Sequence, residues 1–167
     1  VQDINTLTEY LKDIFNKKKI YLLGHSWGTI IGTKAVQKYP ENYYAYIGAA
    51  QMVNIDKTDK FIYNYVLKAA DKAGDTKLVN ELKKNGPPPY HGEKVLNKYK
   101  PFLSNYRQFY KKNNPYQEKN SEWYNPLKNI FRLSEYNLID KINVVRGMIN
   151  TFNLVYPQIQ DVNFIKQ

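Results

Sequence analysis

The 167 residues suffice for one domain of ordinary size, and a hydrophobic content of 43% excludes a chain too polar to bury a core. The absence of cysteine excludes disulfides and thiol chemistry, and with neither a long apolar run nor a signal-peptide pattern no membrane span is predicted and a cytoplasmic protein is expected. The net charge of +10 is spread over scattered lysines without a nucleic-acid-binding motif, so neither nucleic acid nor a membrane surface is an expected partner.

Asp3 is placed to cap a first helix in which Ile4, Leu7, Leu11, Ile14 and Phe15 recur at helical spacing. Asn16 and the run Lys17-Lys18-Lys19 end it, since cations are favourable at a helix C-terminus. Ile20–Leu23 follows as a continuous apolar run, the pattern of a strand covered on both faces.

That strand leads directly into Gly24-His25-Ser26-Trp27-Gly28, and the motif leads directly into the helical pattern Thr29-Ile30-Ile31-Gly32-Thr33-Lys34-Ala35-Val36. A strand, a Gly-x-Ser-x-Gly turn and a helix in that order are the sequence form of a nucleophile elbow. So tight a turn predicts a strained backbone at Ser26 with its hydroxyl held above the sheet. Side chains at Gly24 and Gly28 are expected to collide with neighbouring backbone. The start of the helix turns its N–H groups and positive dipole end towards charge that develops in acyl transfer. The competing reading is that Ser26 merely caps the helix.

The helix after the turn is expected to direct Ile30, Ile31, Ala35 and Val36 inward and to stop at Tyr39-Pro40, because proline cannot continue it. A second strand at about Tyr44–Gln51 would lie parallel to the first. Residues 1–55 thus read as an α/β segment and 56–167 as a helical one. In the latter, Lys57–Ala73 places Phe61, Ile62, Tyr65, Val66 and Ala69 on one face, and Asp75–Lys84 places Leu78, Val79 and Leu82 on another. Gly86-Pro87-Pro88-Pro89 is a rigid break before Glu93–Lys112, where Pro101 predicts a kink or two helices. After a polar loop, Asn113–Asn120, helical stretches are predicted at Pro126–Arg132, Ser134–Leu138 and Ile142–Val155, and Asp161–Ile165 begins another element. Val1 is not methionine and the C-terminus carries no closing signal, so both ends are expected to be cut.

A serine hydroxyl needs a base to take its proton and an acid to orient that base. There are two histidines. His25 adjoins Ser26, where consecutive side chains diverge, and His91 lies in the loop Gly86–Gly92 with no acid beside it in sequence. After Gln51 no further strand is predicted that would carry acid and base, so the chain reads as a nucleophile without its triad.

With its flanking helix and strands, the Gly24–Gly28 motif resembles the α/β-hydrolases, and within them the proline iminopeptidase-like serine aminopeptidases, whose motif often reads Gly-x-Ser-Trp-Gly. The resemblance covers about residues 3–54, and the helical remainder is similar to the cap that such enzymes insert. The fold class it implies is a partial α/β-hydrolase core, two parallel strands with flanking helices, plus a mainly helical cap. It implies that Ser26 is the nucleophile, that the Trp27 backbone N–H is one oxyanion donor, that Gly24 and Gly28 shape the turn, and that His25 packs or orients. The Trp27 indole is either core or substrate contact. Tyr90, Tyr116, Trp123 and Tyr124 are candidates to line a pocket, with Trp123 and Tyr124 singled out for substrate binding, while Glu118, Glu122 and Glu135 are candidates to hold a substrate amine. The expected activity is acyl transfer from a small-molecule or short-peptide substrate, with no cofactor and no metal, and the 167 residues alone are expected to be inactive. The alternatives are an esterase- or lipase-like hydrolase and a non-catalytic binding module that keeps the turn as scaffold. Two strands alone leave open sheet edges, which predicts dimerisation or strand exchange.

Overall fold

The computed structural model describes residues 1–113 and 130–165. Two compact units divide the chain: Val1–Ile55 together with Val162–Gln167, and Asp56–Asp161.

In the first unit, helix α1 (Gln2–Ile14) precedes strand β1 (Ile20–His25), helix α2 (Gly28–Lys38), a short 3-10 turn at Pro40–Asn42 and strand β2 (Tyr43–Ala49). Val1 rather than Asp3 is the N-cap of α1. Asp3 sits instead in the first turn, where its carboxylate still favours the positive end of the helix. The inner face of α1 carries Thr8, whose hydroxyl meets that of Tyr43 at 3.1 Å. Buried Asn42 completes the attachment: it donates to Asn5 Oδ1 (3.0 Å) and Glu9 Oε1 (2.5 Å) and accepts from Lys12 Nζ (2.6 Å). This polar seam turns Leu7, Ile14 and Phe15, members of the predicted apolar stripe, out to solvent.

β1 and β2 pair in parallel, with Leu22 beside Tyr46, Leu23 beside Ile47 and Gly24 beside Gly48. The second strand stops at Ala49, short of the predicted Gln51, because Ala50 takes a left-handed conformation (φ 51°) that a strand cannot continue through. α2 packs on the face carrying Tyr46, so closely that a Cβ at Gly32 would stand 2.6 Å from the Tyr46 ring. Ile30 and Ala35 are buried there as predicted, whereas Ile31 points outward. The opposite sheet face is open among the described residues, with Tyr21 70%, Leu23 65% and Ile47 51% exposed. The apolar run of β1 had predicted cover on both faces.

Residues 161–165 do not start a separate element. From Val162 on they belong to the first unit, where Asn163 bridges antiparallel to Asn54, Ile55 N donates to Val162 O (3.2 Å) and Phe164 N to Val53 O (2.8 Å).

The second unit consists of α3 (Ile55–Lys72), α4 (Thr76–Asn85), α5 (Val95–Asn113) and α6 (Leu138–Ile159), together with the segments between them. Asp75 caps α4 by accepting from Leu78 N at 3.0 Å, and Leu78, Val79 and Leu82 are buried as the spacing predicts. The buried face of α3 carries Asp59, Tyr63, Val66 and Ala70, which leaves Phe61 exposed. That rotation follows from the polar side chains: Asp59 and Tyr63 find buried partners in Tyr156 and the Leu82 carbonyl. α5 runs as one helix through Pro101 and starts only at Val95, after Lys94 at φ 55°. Ser134–Asn137 is a turn rather than a helix, because Asn137 and Asp140 form a reciprocal capping box that starts α6. The core of this unit is aromatic, with Tyr99 at its centre 4.9 Å from Tyr90, 4.8 Å from Tyr156 and 5.4 Å from Phe102 by ring centroids. Among the described residues no helix is long and apolar enough to cross a membrane.

Candidate active site

β1 ends at His25 and α2 starts at Gly28, so only Ser26 and Trp27 turn the chain from strand to helix. Ser26 takes φ 52°, a left-handed conformation that costs a residue with a Cβ about 1–2 kcal/mol. The strain expected of this turn is therefore present at the serine itself. Trp27 is the N-cap of α2, in helical geometry (φ −56°, ψ −33°) and without a side-chain cap bond. Ser26 consequently does not cap the helix, and the competing reading of it as an N-cap is set aside.

Backbone and side-chain bonds on both sides hold Ser26 in place. Its N–H donates to Ala49 O at the end of β2 (3.0 Å), and its carbonyl accepts from Thr29 N (2.9 Å) and Thr29 Oγ1 (2.5 Å). Thr29 is fully buried, and its hydroxyl also accepts from Met52 N (3.0 Å). The Tyr46 hydroxyl stands 3.1 Å from both the Thr29 carbonyl and Gln51 Oε1 and shares its one proton between these two acceptors. The turn is thereby locked to the segment after β2. Sequence reasoning missed Thr29 and Met52, which form this lock, because their signal is a contact across 23 residues rather than a motif.

Of the two glycines, Gly24 fits the expectation: a Cβ there would stand 2.7 Å from Gly28 O and 3.1 Å from Thr29 Cα. At Gly28 the expected collision is absent, since a Cβ would meet nothing within 4 Å. The crowding arises at the strand end of the turn, because Gly24 lies against the first turn of α2, whereas the space beside Gly28 is open.

The remaining sequence candidates divide by location. His25 is exposed at the end of β1, beside Ala49 in register, and His91 is exposed in the loop between α4 and α5 of the helical unit. Among the described residues His25 is not hydrogen-bonded to Ser26. Tyr90 is buried and bonds the Gly86 carbonyl, so it is a core residue of the helical unit. Glu135 lies exposed in the turn before α6. Tyr116, Glu118, Glu122, Trp123 and Tyr124 lie outside the described residues. Among the described residues no cluster of His, Cys, Asp and Glu could hold a metal ion.

The sequence model of the family described as serine aminopeptidase, S33, matches residues 1–108. The chain is also similar to the probable aminopeptidase YbaC of Bacillus subtilis (strain 168), with 30% identity over 90 residues, which are 54% of this chain and 28% of that protein. The match thus spans little more than a quarter of the relative's length. No solved structure matches. With more than half of its residues under the family match, and with a parallel strand–helix–strand unit built around Gly24–Gly28, the chain belongs to the serine aminopeptidase S33 family of the α/β-hydrolases.

Proposed function

We propose that Ser26 is the nucleophile of a serine aminopeptidase and that residues 1–55 are the nucleophile-bearing segment of its α/β-hydrolase core. The observation that carries this reading is the left-handed Ser26 between the end of β1 and the start of α2. Strain of this kind persists only where the surroundings enforce it, and here the bonds from Ala49 and Thr29 do so. The reaction would run as acyl transfer. Ser26 Oγ gives its proton to a base and attacks the carbonyl carbon of an N-terminal residue. The resulting oxyanion faces the Trp27 N–H at the start of α2, the amine leaves, and water releases the acyl group. The aminopeptidase name of the Bacillus subtilis relative supports amide rather than ester substrates.

The base and acid are proposed to come from segments outside these 167 residues, and the helical unit to act as the cap. What supports this is that His25 is the immediate neighbour of Ser26, where consecutive side chains diverge, and that the similarity to the Bacillus subtilis protein covers 28% of that protein. Loss of triad partners leaves only weak residual catalysis, about a million-fold below the complete enzyme. A fluorophosphonate probe tests both parts. A longer form of the protein carrying base and acid is expected to be labelled at Ser26 and the Ser26→Ala variant not at all, while the 167-residue chain reacts orders of magnitude more slowly. Labelling that survives Ser26→Ala overturns the nucleophile assignment. Enzyme-like labelling of the short chain overturns the missing triad.

A further inference from the structure

The helical unit carries a buried carboxylate that the proposed chemistry does not use. Asp59 on α3 is 3% exposed, and Gln160, just past α6, is 2% exposed. The Tyr156 hydroxyl donates to Asp59 Oδ1 at 2.8 Å. Gln160 Nε2 donates to the Tyr99 hydroxyl and to the Tyr90 carbonyl, both at 2.9 Å. Two acceptors of this network have no partner among the described residues, Asp59 Oδ2 and Gln160 Oε1. A buried acceptor without a donor is destabilising, and more so when it carries charge. A proton on Asp59 removes that charge and converts one of the two acceptors into a donor.

The groups facing Asp59 do not supply a compensating charge. They are the hydroxyls of Tyr156 from α6 and Tyr99 from α5, and on α3 itself the Asp56 carboxylate. Tyr90, from the loop before α5, and Tyr63 are part of the same cluster. Burial raises the Asp59 carboxyl, the Tyr156 and Tyr99 hydroxyls lower it and Asp56 adds a smaller rise, with the net result pushed up to about 6. Burial and the Asp59 charge raise Tyr156 and Tyr99 well above the ordinary phenol range, so both remain neutral donors.

We propose that Asp59 is a proton-controlled clasp of the helical unit: uncharged, it sits in the buried cluster that joins α3 to the end of α6; charged, it leaves an unpaired anionic oxygen in that cluster, a cost the Tyr156 bond offsets only in part, and the last turns of α6, where Tyr156 and Gln160 sit, loosen. The clasp lies close in sequence to both paired segments of the first unit. Asp59 follows Ile55 by one helical turn, and Gln160 precedes Val162, the residue that accepts from Ile55 N. The device is thus placed where the chain passes into and out of the helical region.

The sign follows from linkage. The folded chain holds the Asp59 proton up to about pH 6, the unfolded chain only to about pH 4, so the stabilisation is complete below pH 4 and is lost as pH rises through 6. Hydrogen exchange of residues 152–160 in the 167-residue chain, corrected for intrinsic rates, tests it. Protection is expected to fall by up to about a hundred-fold between pH 4 and pH 8, the factor set by a two-unit shift. Asp59→Asn carries an N–H donor in place of the proton and is expected to abolish that dependence. A carbon-13 titration of the Asp59 carboxyl in the unaltered chain gives a second readout that does not depend on the variant folding. A titration near pH 4, or an unchanged pH dependence of protection in Asp59→Asn, overturns the proposal.

Discussion

Thr29 Oγ1 donates to the carbonyl of Ser26 at 2.5 Å and accepts from Met52 N at 3.0 Å, so one buried hydroxyl ties the strained residue to the chain beyond β2. The strand–helix turn therefore does not depend on its own five residues alone. Replacing Thr29 by Val keeps the shape and removes both bonds, leaving the half-buried Met52 N without its acceptor. A loss of about 1–3 kcal/mol in urea unfolding is expected, with Thr29→Ser recovering most of it.

Gly24 and Gly28 separate in the same assay. Gly24→Ala forces a Cβ to within 2.7 Å of Gly28 O and is expected to cost about 1–3 kcal/mol or more. Gly28→Ala enters open space on a helix and is expected to leave stability within about 1 kcal/mol of the parent, with helix propensity favouring alanine. Equal losses at the two positions would contradict the observed geometry.

The strain at Ser26 has its own signature. Glycine accepts φ 52° without penalty and alanine does not. Ser26→Gly is therefore expected to be more stable than Ser26→Ala by up to about 1 kcal/mol, while both fail to react with a fluorophosphonate.

The open face of the sheet makes a prediction about association. Tyr21, Leu23 and Ile47 are exposed on one side of a two-stranded sheet, and Leu23 and Ile47 stand side by side. We propose that the 167-residue chain self-associates through this face and its edges. Sedimentation velocity is expected to show concentration-dependent dimers, shifted to monomer by Leu23→Lys with Ile47→Lys. A monomer at high concentration refutes it.

Tyr156→Phe removes the donor that favours ionised Asp59. The carboxyl is then expected to titrate above its present value of about 6, and the helical unit to lose about 1–3 kcal/mol at neutral pH. Carbon-13 titration and urea unfolding report the two effects separately.

Much of the fold was legible because its signals are local. The run Ile20–Leu23, the turn Gly24–Gly28 and the apolar spacing after it point to strand, turn and helix from contacts a few residues apart. The same holds for Asp75 at the head of α4 and the buried Leu78, Val79 and Leu82 behind it. Periodicity failed where a polar side chain overruled it. Asp59 and Thr8 face inward, and Phe61 and Leu7 face out, because the polar groups find partners on distant elements.

The sequence by itself therefore determined the parallel strand–helix–strand unit, the position of Ser26 in its turn and the helical character of most of the described remainder, since each rests on backbone preferences within one or two turns of chain. Only the tertiary structure decided that Thr29 locks the turn, that Gly24 and not Gly28 is sterically required, and that a buried carboxylate joins α3 to α6. Those outcomes depend on pairs as far apart as Asp59 and Tyr156, 97 residues, whose meeting no local pattern encodes.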